Sequence, residues 1–425
     1  MESQSKFVEL QQVADVIDSL HQTPQYSDFG YPMVRVTDIK GGFLNTSSCL
    51  QVSPEIYKEY IKNHVPKKGD IVISRVGSYG ITSYVNQESS FCLGQNTAII
   101  VPKTNNRYIF YCFQSEYVKN QIESCVVGTT QKTLSLKLIK ELKIPLFDQD
   151  IQDRVANILG SLDDKIELNR QMNETLEAIG RAIFQSWFVD FDPVRAKAEG
   201  CDTGLPADVA ALFPDGFVII DGRELPIGWR IGTLGDIAEN IRRPINPTQI
   251  DPETPYIGLE HMPQHSIALC EWGEAASVDS GKFQFKINEF LFGKLRPYFH
   301  KVGVAPVAGV CSTDILVIVP KFESWASFIL CCISSDDFVE FANRDSDGTK
   351  MPRTNWSSLE RFAVVIPPDT ILNKFNSSTY LLFKKIVENI HQSRTLAQIR
   401  DALLPKLMSG QLNVNEVNGI IQEIG

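Results

Sequence analysis

Two stretches of the chain place apolar residues three and four positions apart. The first carries Val155, Ile158, Leu162, Met172, Leu176, Ile179 and Ile183; the second carries Phe375, Leu382, Ile386, Leu396, Ile399, Leu403 and Leu407. That spacing is a heptad seam along one face of a helix. Asp148 and Asp150 supply the negative charge that a helix N-terminus favours, and Gly410 supplies a C-terminal stop. The first seam predicts a helix from Asp150 to Trp187, about 55 Å long at ~1.5 Å per residue. Such a helix is too long for the edge of a small α/β domain. Two of them with matching seams predict an antiparallel coiled-coil spacer. The seams are interrupted at Lys165 and Asn169, and at Lys385 and Asn389. The asparagines either fix register inside the seam or face solvent where the seam drifts. Ahead of each long helix come short β-like runs punctuated by Gly, Pro and Asn: Asp70 to Ser74, Thr97 to Val101, Glu289 to Phe292 and Ile315 to Val319.

The halves are copies of one plan. Lys165-Ile166-Glu167-Leu168-Asn169 resembles Lys385-Ile386-Val387-Glu388-Asn389, an offset of 220. Gly69 to Arg75 resembles Asn288 to Lys294 at an offset of 219, and Leu10, Val13 and Ala14 recur as Leu234, Ile237 and Ala238 at 224. Order is kept while the offset drifts slightly, as loop insertions cause. The fold class expected is α/β (α+β), with two β-rich domains in pseudo-twofold repeat, separated by two long antiparallel coiled-coil helices. The segments are 1–147, first β-rich domain; 148–189, central helix; 190–228, connector; 229–367, second β-rich domain; 368–411, distal helix; and 412–425, tail.

Composition narrows the chemistry. With 425 residues, 43% of them hydrophobic, the chain can build two or three cores. No apolar run is long enough to span a membrane and the N-terminus lacks a signal-like pattern, so a cytoplasmic location is expected. Nine scattered cysteines fit a reducing compartment. The net charge is −10, yet Lys62 to Lys143 holds eleven Lys and Arg against five Asp and Glu. A basic segment on an acidic chain suits nucleic acid together with a separate protein-binding surface, or is an ordinary solvated face. There is no P-loop, no dinucleotide fingerprint and no nucleophile elbow. The Asn-Pro-Pro-aromatic run of amino-methyltransferases is missing as well. Gly77-Ser78-Tyr79-Gly80 is only a weak phosphate-binding turn. Histidines 21, 64, 261, 265, 300 and 391 show no metal-ligand spacing, and no metal is expected.

Three runs point to a family: Leu159 to Asn169; Phe184-Gln185-Ser186-Trp187-Phe188-Val189-Asp190-Phe191-Asp192-Pro193-Val194; and Leu403-Leu404-Pro405-Lys406-Leu407-Met408-Ser409-Gly410. They resemble the central and distal conserved regions of specificity subunits of type I restriction-modification systems, and the whole chain follows that family's order. The resemblance implies that each β-rich domain is a target recognition domain reading half of a split DNA target. It implies helices that set the unread gap and dock two modification subunits, with two restriction subunits as further possible partners. It implies no cofactor in this chain; S-adenosylmethionine, ATP and Mg2+ belong to the partner subunits. The chain is then a non-catalytic subunit of an adenine methyltransferase and restriction complex. Two other readings stay open: a coiled-coil scaffold carrying two protein-interaction modules, and a nuclease or methyltransferase in its own right.

Reading bases requires paired donors and acceptors reaching into a groove. Candidates in the first domain are Arg75, Ser78, Gln95, Asn96, Gln131 and Lys132; in the second they are Lys294, Arg296, Thr313, Lys350 and Arg353. Each is otherwise a solvated side chain or a phosphate contact without sequence information. Candidates for the helix pair and partner contacts are Leu162, Asn169, Leu176, Ile179, Ile183, Trp187, Leu382, Asn389, Leu396, Ile399 and Leu403. The aromatic run at 184, 187, 188 and 191 is expected to divide, with Trp187 inside and part of the run at a partner interface.

Overall fold

The computed structural model describes residues 6–125, 132–346, 348 and 351–412. It divides into two compact units, Met1–Glu167 with Thr395–Gly425, and Leu168–Arg394. The division falls inside the two long helices, Gln149–Phe188 and Asp369–Met408, each 40 residues. Each unit therefore owns part of both helices.

The first unit is built around a four-stranded antiparallel sheet in the order Ala14–Asp18, Thr97–Pro102, Ile71–Ser74, Thr82–Tyr84. Strand Ile71–Ser74 is buried on both faces, which explains its unbroken apolar run. Alternation divides its side chains. Ile71 and Ile73 join a core with helix Asn106–Gln114 and long-helix residues Val155, Ala156, Ile158 and Leu159. Val72 joins a second core with Val34, Phe91 and Ile99. A smaller sheet pairs Tyr31–Val34 antiparallel to Gln51–Val52 and parallel to Cys92–Leu93. Strand Lys6–Glu9 pairs with Lys143–Leu146, just before the long helix starts.

The second unit repeats the plan. Its four-stranded sheet runs Ala238–Asn240, Ile315–Pro320, Phe290–Gly293, Val302–Val304. Phe290 and Phe292 face the larger core, and Leu291 faces the other. Pro255–Ile257 pairs parallel to Gly309–Cys311, as Tyr31–Val34 does to Cys92–Leu93. Arg230–Thr233 pairs with Ala363–Ile366 ahead of the second long helix. The segment 190–228 is no free tether: its Val194, Val209, Phe213 and Leu225 are part of this unit's core.

Within the second unit the two helices run antiparallel, since partners fall in number on one as they rise on the other. The Asn169 amide donates to Gln392 Oε1 (2.9 Å) and Ser393 Oγ (3.2 Å), and the Asn389 amide donates to Asn173 Oδ1 (2.8 Å). Gly180 lies against the Phe383 ring, where an added Cβ would approach to 3.0 Å. Asn169 and Asn389 are thus buried and satisfied, not turned to solvent. Leu162 and Trp187 are buried, while Leu176, Ile183, Leu396, Ile399 and Leu403 are half-buried.

Three expectations need correcting. Ile179 lies one position off the seam and is 42% exposed, because Gly180 occupies the close approach. Leu382 is only half-buried; its neighbour Phe383 takes the core position. The aromatic run does not divide: Phe184, Trp187, Phe188 and Phe191 are all buried in this unit's own core against Phe328, Phe375 and Trp229.

Candidate nucleic-acid interface

In each unit three loops meet at the end of the central strand. In the first unit the chain leaves Ser74 and turns through Arg75 to Gly80. The Arg75 amide donates to the Asn96 carbonyl (2.9 Å), and its carbonyl accepts from Leu134 (2.8 Å). Val76 bridges to Thr133. Gly77 and Gly80 have φ of +75° and +74°, which glycine adopts without a Cβ penalty. The Arg75 side chain is 11% exposed and turns inward, pairing with Asp18 and donating through Nε to the Leu134 carbonyl (3.2 Å). Lys132 Nζ donates to the Tyr79 hydroxyl (3.1 Å), which donates to Glu123 (2.9 Å). Gln95 and Asn96 line a surface hollow of about 290 Å³ shared with Tyr26 and Arg35.

In the second unit the Lys294 amide donates to the Asp314 carbonyl (2.9 Å), and its carbonyl accepts from Thr354 (3.0 Å). Leu295 bridges to Arg353, and the Arg296 amide donates to the Pro352 carbonyl (2.7 Å). Arg296 takes the Gly77 position with φ +51°, a conformation that side chains seldom adopt. Arg353 pairs with Asp314 (3.0 Å). Lys294 is half-buried, and its pKa lies below the usual lysine value. Desolvation is the main cause; Arg353 and Arg242 repel its charge while Asp314 opposes them. Arg296 Nε and Thr354 Oγ1 are buried with no hydrogen-bond partner. The cluster thus has cations in excess of carboxylates and unused donors, a combination that an anionic, acceptor-rich ligand would satisfy.

Residues 2–178 match the family described as the type I restriction modification DNA specificity domain. The chain is also 26% identical over 363 residues to the MjaIX type I restriction enzyme specificity subunit of Methanocaldococcus jannaschii, covering 82% of this chain and 79% of the relative. It is 26% identical over 402 residues to the HindI specificity subunit of Haemophilus influenzae, covering 81% and 87%. The crystal structure of a type I restriction-modification S subunit from M. genitalium shares the mixed helix-and-sheet fold, with a TM-score of 0.54 at 15% identity over 96% of both chains. The resemblance holds: this chain is similar to type I restriction enzyme specificity subunits over most of its length. No described helix is long and apolar enough to cross a membrane.

Within this fold the candidate residues fall into place as follows. Arg75, Asn96, Lys294, Arg296 and Arg353 sit on the converging loops, with Ser78, Gln95 and Thr313 exposed on the same loops. Lys132 stands on the third loop of the first unit, paired as above. Gln131 and Lys350 lie outside the described residues. Arg75 is the exception in orientation, because Asp18 and the Leu134 carbonyl already occupy its guanidinium. Sequence reading missed Asp18, Tyr79, Asp314 and Arg242. Arg242 was findable: the offset of 224 that aligns Ala14 with Ala238 carries Asp18 onto Arg242, and both strands pair with their neighbours in that register.

Proposed function

We propose that this chain reads DNA sequence for a type I restriction-modification complex and does no chemistry itself. Each unit takes one half of a bipartite target through its three-loop cluster. The exposed Gln95 and Arg353, with the half-buried Asn96 and Arg296 beside them, address base edges and phosphates. The observation that carries this reading is duplication: the same three loops converge at the same strand end in both units, with different side chains on an equivalent backbone. A shared scaffold with divergent tips is what two half-sites of different sequence require. The long helices set the gap between half-sites and dock two modification subunits. Those subunits bind S-adenosylmethionine and methylate a flipped adenine; restriction subunits, where present, supply ATP-driven cleavage with Mg2+.

The test is methylation mapping in cells carrying this chain with its partners. Inserting one heptad after Asn169 and one after Asn389 keeps the seam in phase. It lengthens the spacer by about 10.5 Å, or roughly three base pairs. Both half-sites should stay as they were while the gap grows. Altered half-sites with the original gap would overturn the reading. So would methyl transfer by the isolated chain.

A further inference from the structure

Among the described residues, one group of metal-ligating side chains lies outside the loop cluster: His265, His300 and Asp336, all in the second unit, with ligand atoms within 4.8 Å of one another. The His300 side chain is 6% exposed. Its Nε2 lies 2.9 Å from the Ser334 carbonyl, which can only accept, so Nε2 carries the proton. With Nε2 engaged, Nδ1 is the nitrogen left to meet a ligand, and it faces Asp336 Oδ1 at 3.3 Å. The His265 ring completes the group, 4.6 Å from the His300 ring between centroids, and its amide donates to the His300 carbonyl (3.0 Å).

The first unit provides an internal control. Ser74 and Gly293 donate to the carbonyls of Ile81 and Lys301, which makes Gly80 the counterpart of His300. Tyr84 and Val304 donate to Gly42 and Ile267, which makes Lys40 the counterpart of His265. Gly80 has φ +74°, and a Cβ there would meet Ile122 at 2.8 Å. In the second unit His300 and His265 are held at φ +51° and +56°, and the residue at the position of Ile122 is Ala342. Two histidines are kept in a conformation that disfavours them, with a smaller neighbour beside one.

We infer that His265, His300 and Asp336 bind a divalent transition-metal ion, zinc being the ion whose preferences fit two imidazoles and a carboxylate. Metal–ligand distances of about 2.0–2.1 Å place tetrahedral ligands roughly 3.4 Å apart, which the pair His300 Nδ1 and Asp336 Oδ1 already matches. The bond from Nε2 to Ser334 is the outer contact that fixes a ligating imidazole. Asp336 and Asp337 offset the positive end of helix Asp336–Arg344. The ion would clip the 265–268 loop, which Glu177 of the first long helix holds through Ser266 and Ile267 (both 3.1 Å), to the sheet and that helix.

The test uses the full chain without an affinity tag, stripped by chelator, then titrated with Co2+ by absorption and with Zn2+ by calorimetry and thermal unfolding. One equivalent should bind with a cobalt spectrum of nitrogen and oxygen ligands, and zinc should raise Tm by on the order of 5 °C. His265→Gln and Asp336→Asn, both at exposed positions, should each weaken binding at least about tenfold, a loss typical of removing a ligand or its support. No binding at millimolar metal overturns the inference. A thiolate-to-cobalt band, which places the ion at a cysteine, overturns it as well, and so does unchanged affinity in both variants.

Discussion

The two loop clusters share a backbone and differ in electrostatics. In the first unit Arg75 stands at the end of the central strand beside Asp18, and its guanidinium is spent on that carboxylate and on the Leu134 carbonyl. In the second unit the same position is Lys294, and the position of Asp18 is Arg242, which repels it. Leu134 becomes Thr354 and Gly77 becomes Arg296, and both newcomers carry buried donors without partners. One copy is internally satisfied and presents amides, Gln95 and Asn96, around a hollow. The other is short of negative charge and of acceptors. A repeat can therefore hold its fold constant while moving a cluster from self-sufficient to ligand-dependent. The apolar alternation that builds the sheet does not involve the residues at its end.

The comparison can be broken most forcefully through the second core. Phe375 is fully buried against Phe184, Trp187 and Phe188. Phe375→Ala should cost about 3–5 kcal/mol. The loss should be confined to the second unit, with amide-exchange protection falling there and persisting in the sheet around Ile71–Ser74; uniform loss would mean that the units do not fold separately.

Asp18→Asn comes next. It leaves the Arg75 guanidinium, largely buried, without its counter-charge, and should destabilise the first unit by about 1–3 kcal/mol in denaturant titration. Arg242→Asn, the equivalent change, removes a repulsion and should leave stability unchanged or slightly raised. If both cost the same, the electrostatic contrast is wrong.

On DNA the order reverses. Arg242→Asn or Lys294→Met in the assembled complex should weaken binding by about 1–3 kcal/mol at one half-site if bases are touched. If phosphates are touched, the salt slope should fall by about 1 per charge. Lys294 also gives a pH signature. Its folded pKa is lowered, so the folded chain releases this proton before the unfolded chain does. Between the two values the unfolded state holds more protons, and stability rises with pH. Affinity for the second half-site should fall over the same alkaline range, while a half-site served by arginine does not. Lys294→Arg should abolish the difference in a pH series of binding measurements.

The smallest effect tests the seam. Ile179→Gln, on an exposed face, should change stability by no more than about 0.5 kcal/mol. Leu176→Asp, packed against the second core, should be strongly destabilising because it brings a charge to a site with no partner for it. Equal effects in thermal unfolding would place the seam elsewhere.

The sequence by itself determined the elements and their duplication. Apolar period fixes which runs are strands and which are helices, and the drift of the offset from 218 to 224 shows where loops differ. The strands expected at 70–74, 97–101, 289–292 and 315–319 run Ile71–Ser74, Thr97–Pro102, Phe290–Gly293 and Ile315–Pro320. The helix expected from Asp150 to Trp187 runs Gln149–Phe188. The candidate loops were readable for the same reason: two copies mark the positions where a common skeleton carries different polar tips.

Only the tertiary structure decided how those tips are spent. Nothing local tells Arg75 from Lys294; the difference is a residue 57 positions away in one copy and 52 in the other, brought alongside by strand pairing. The same holds for Phe383 over Leu382 and for Gly180 displacing Ile179 from the seam, since a helix face is chosen by what it meets. It holds for Asn173, the partner of Asn389, and for His265 and His300, whose separation of 35 residues matches no ligand spacing. Periodicity encodes burial, which each residue expresses by itself, whereas charge pairing and ligation are properties of pairs, and the pairs exist only once the chain is folded.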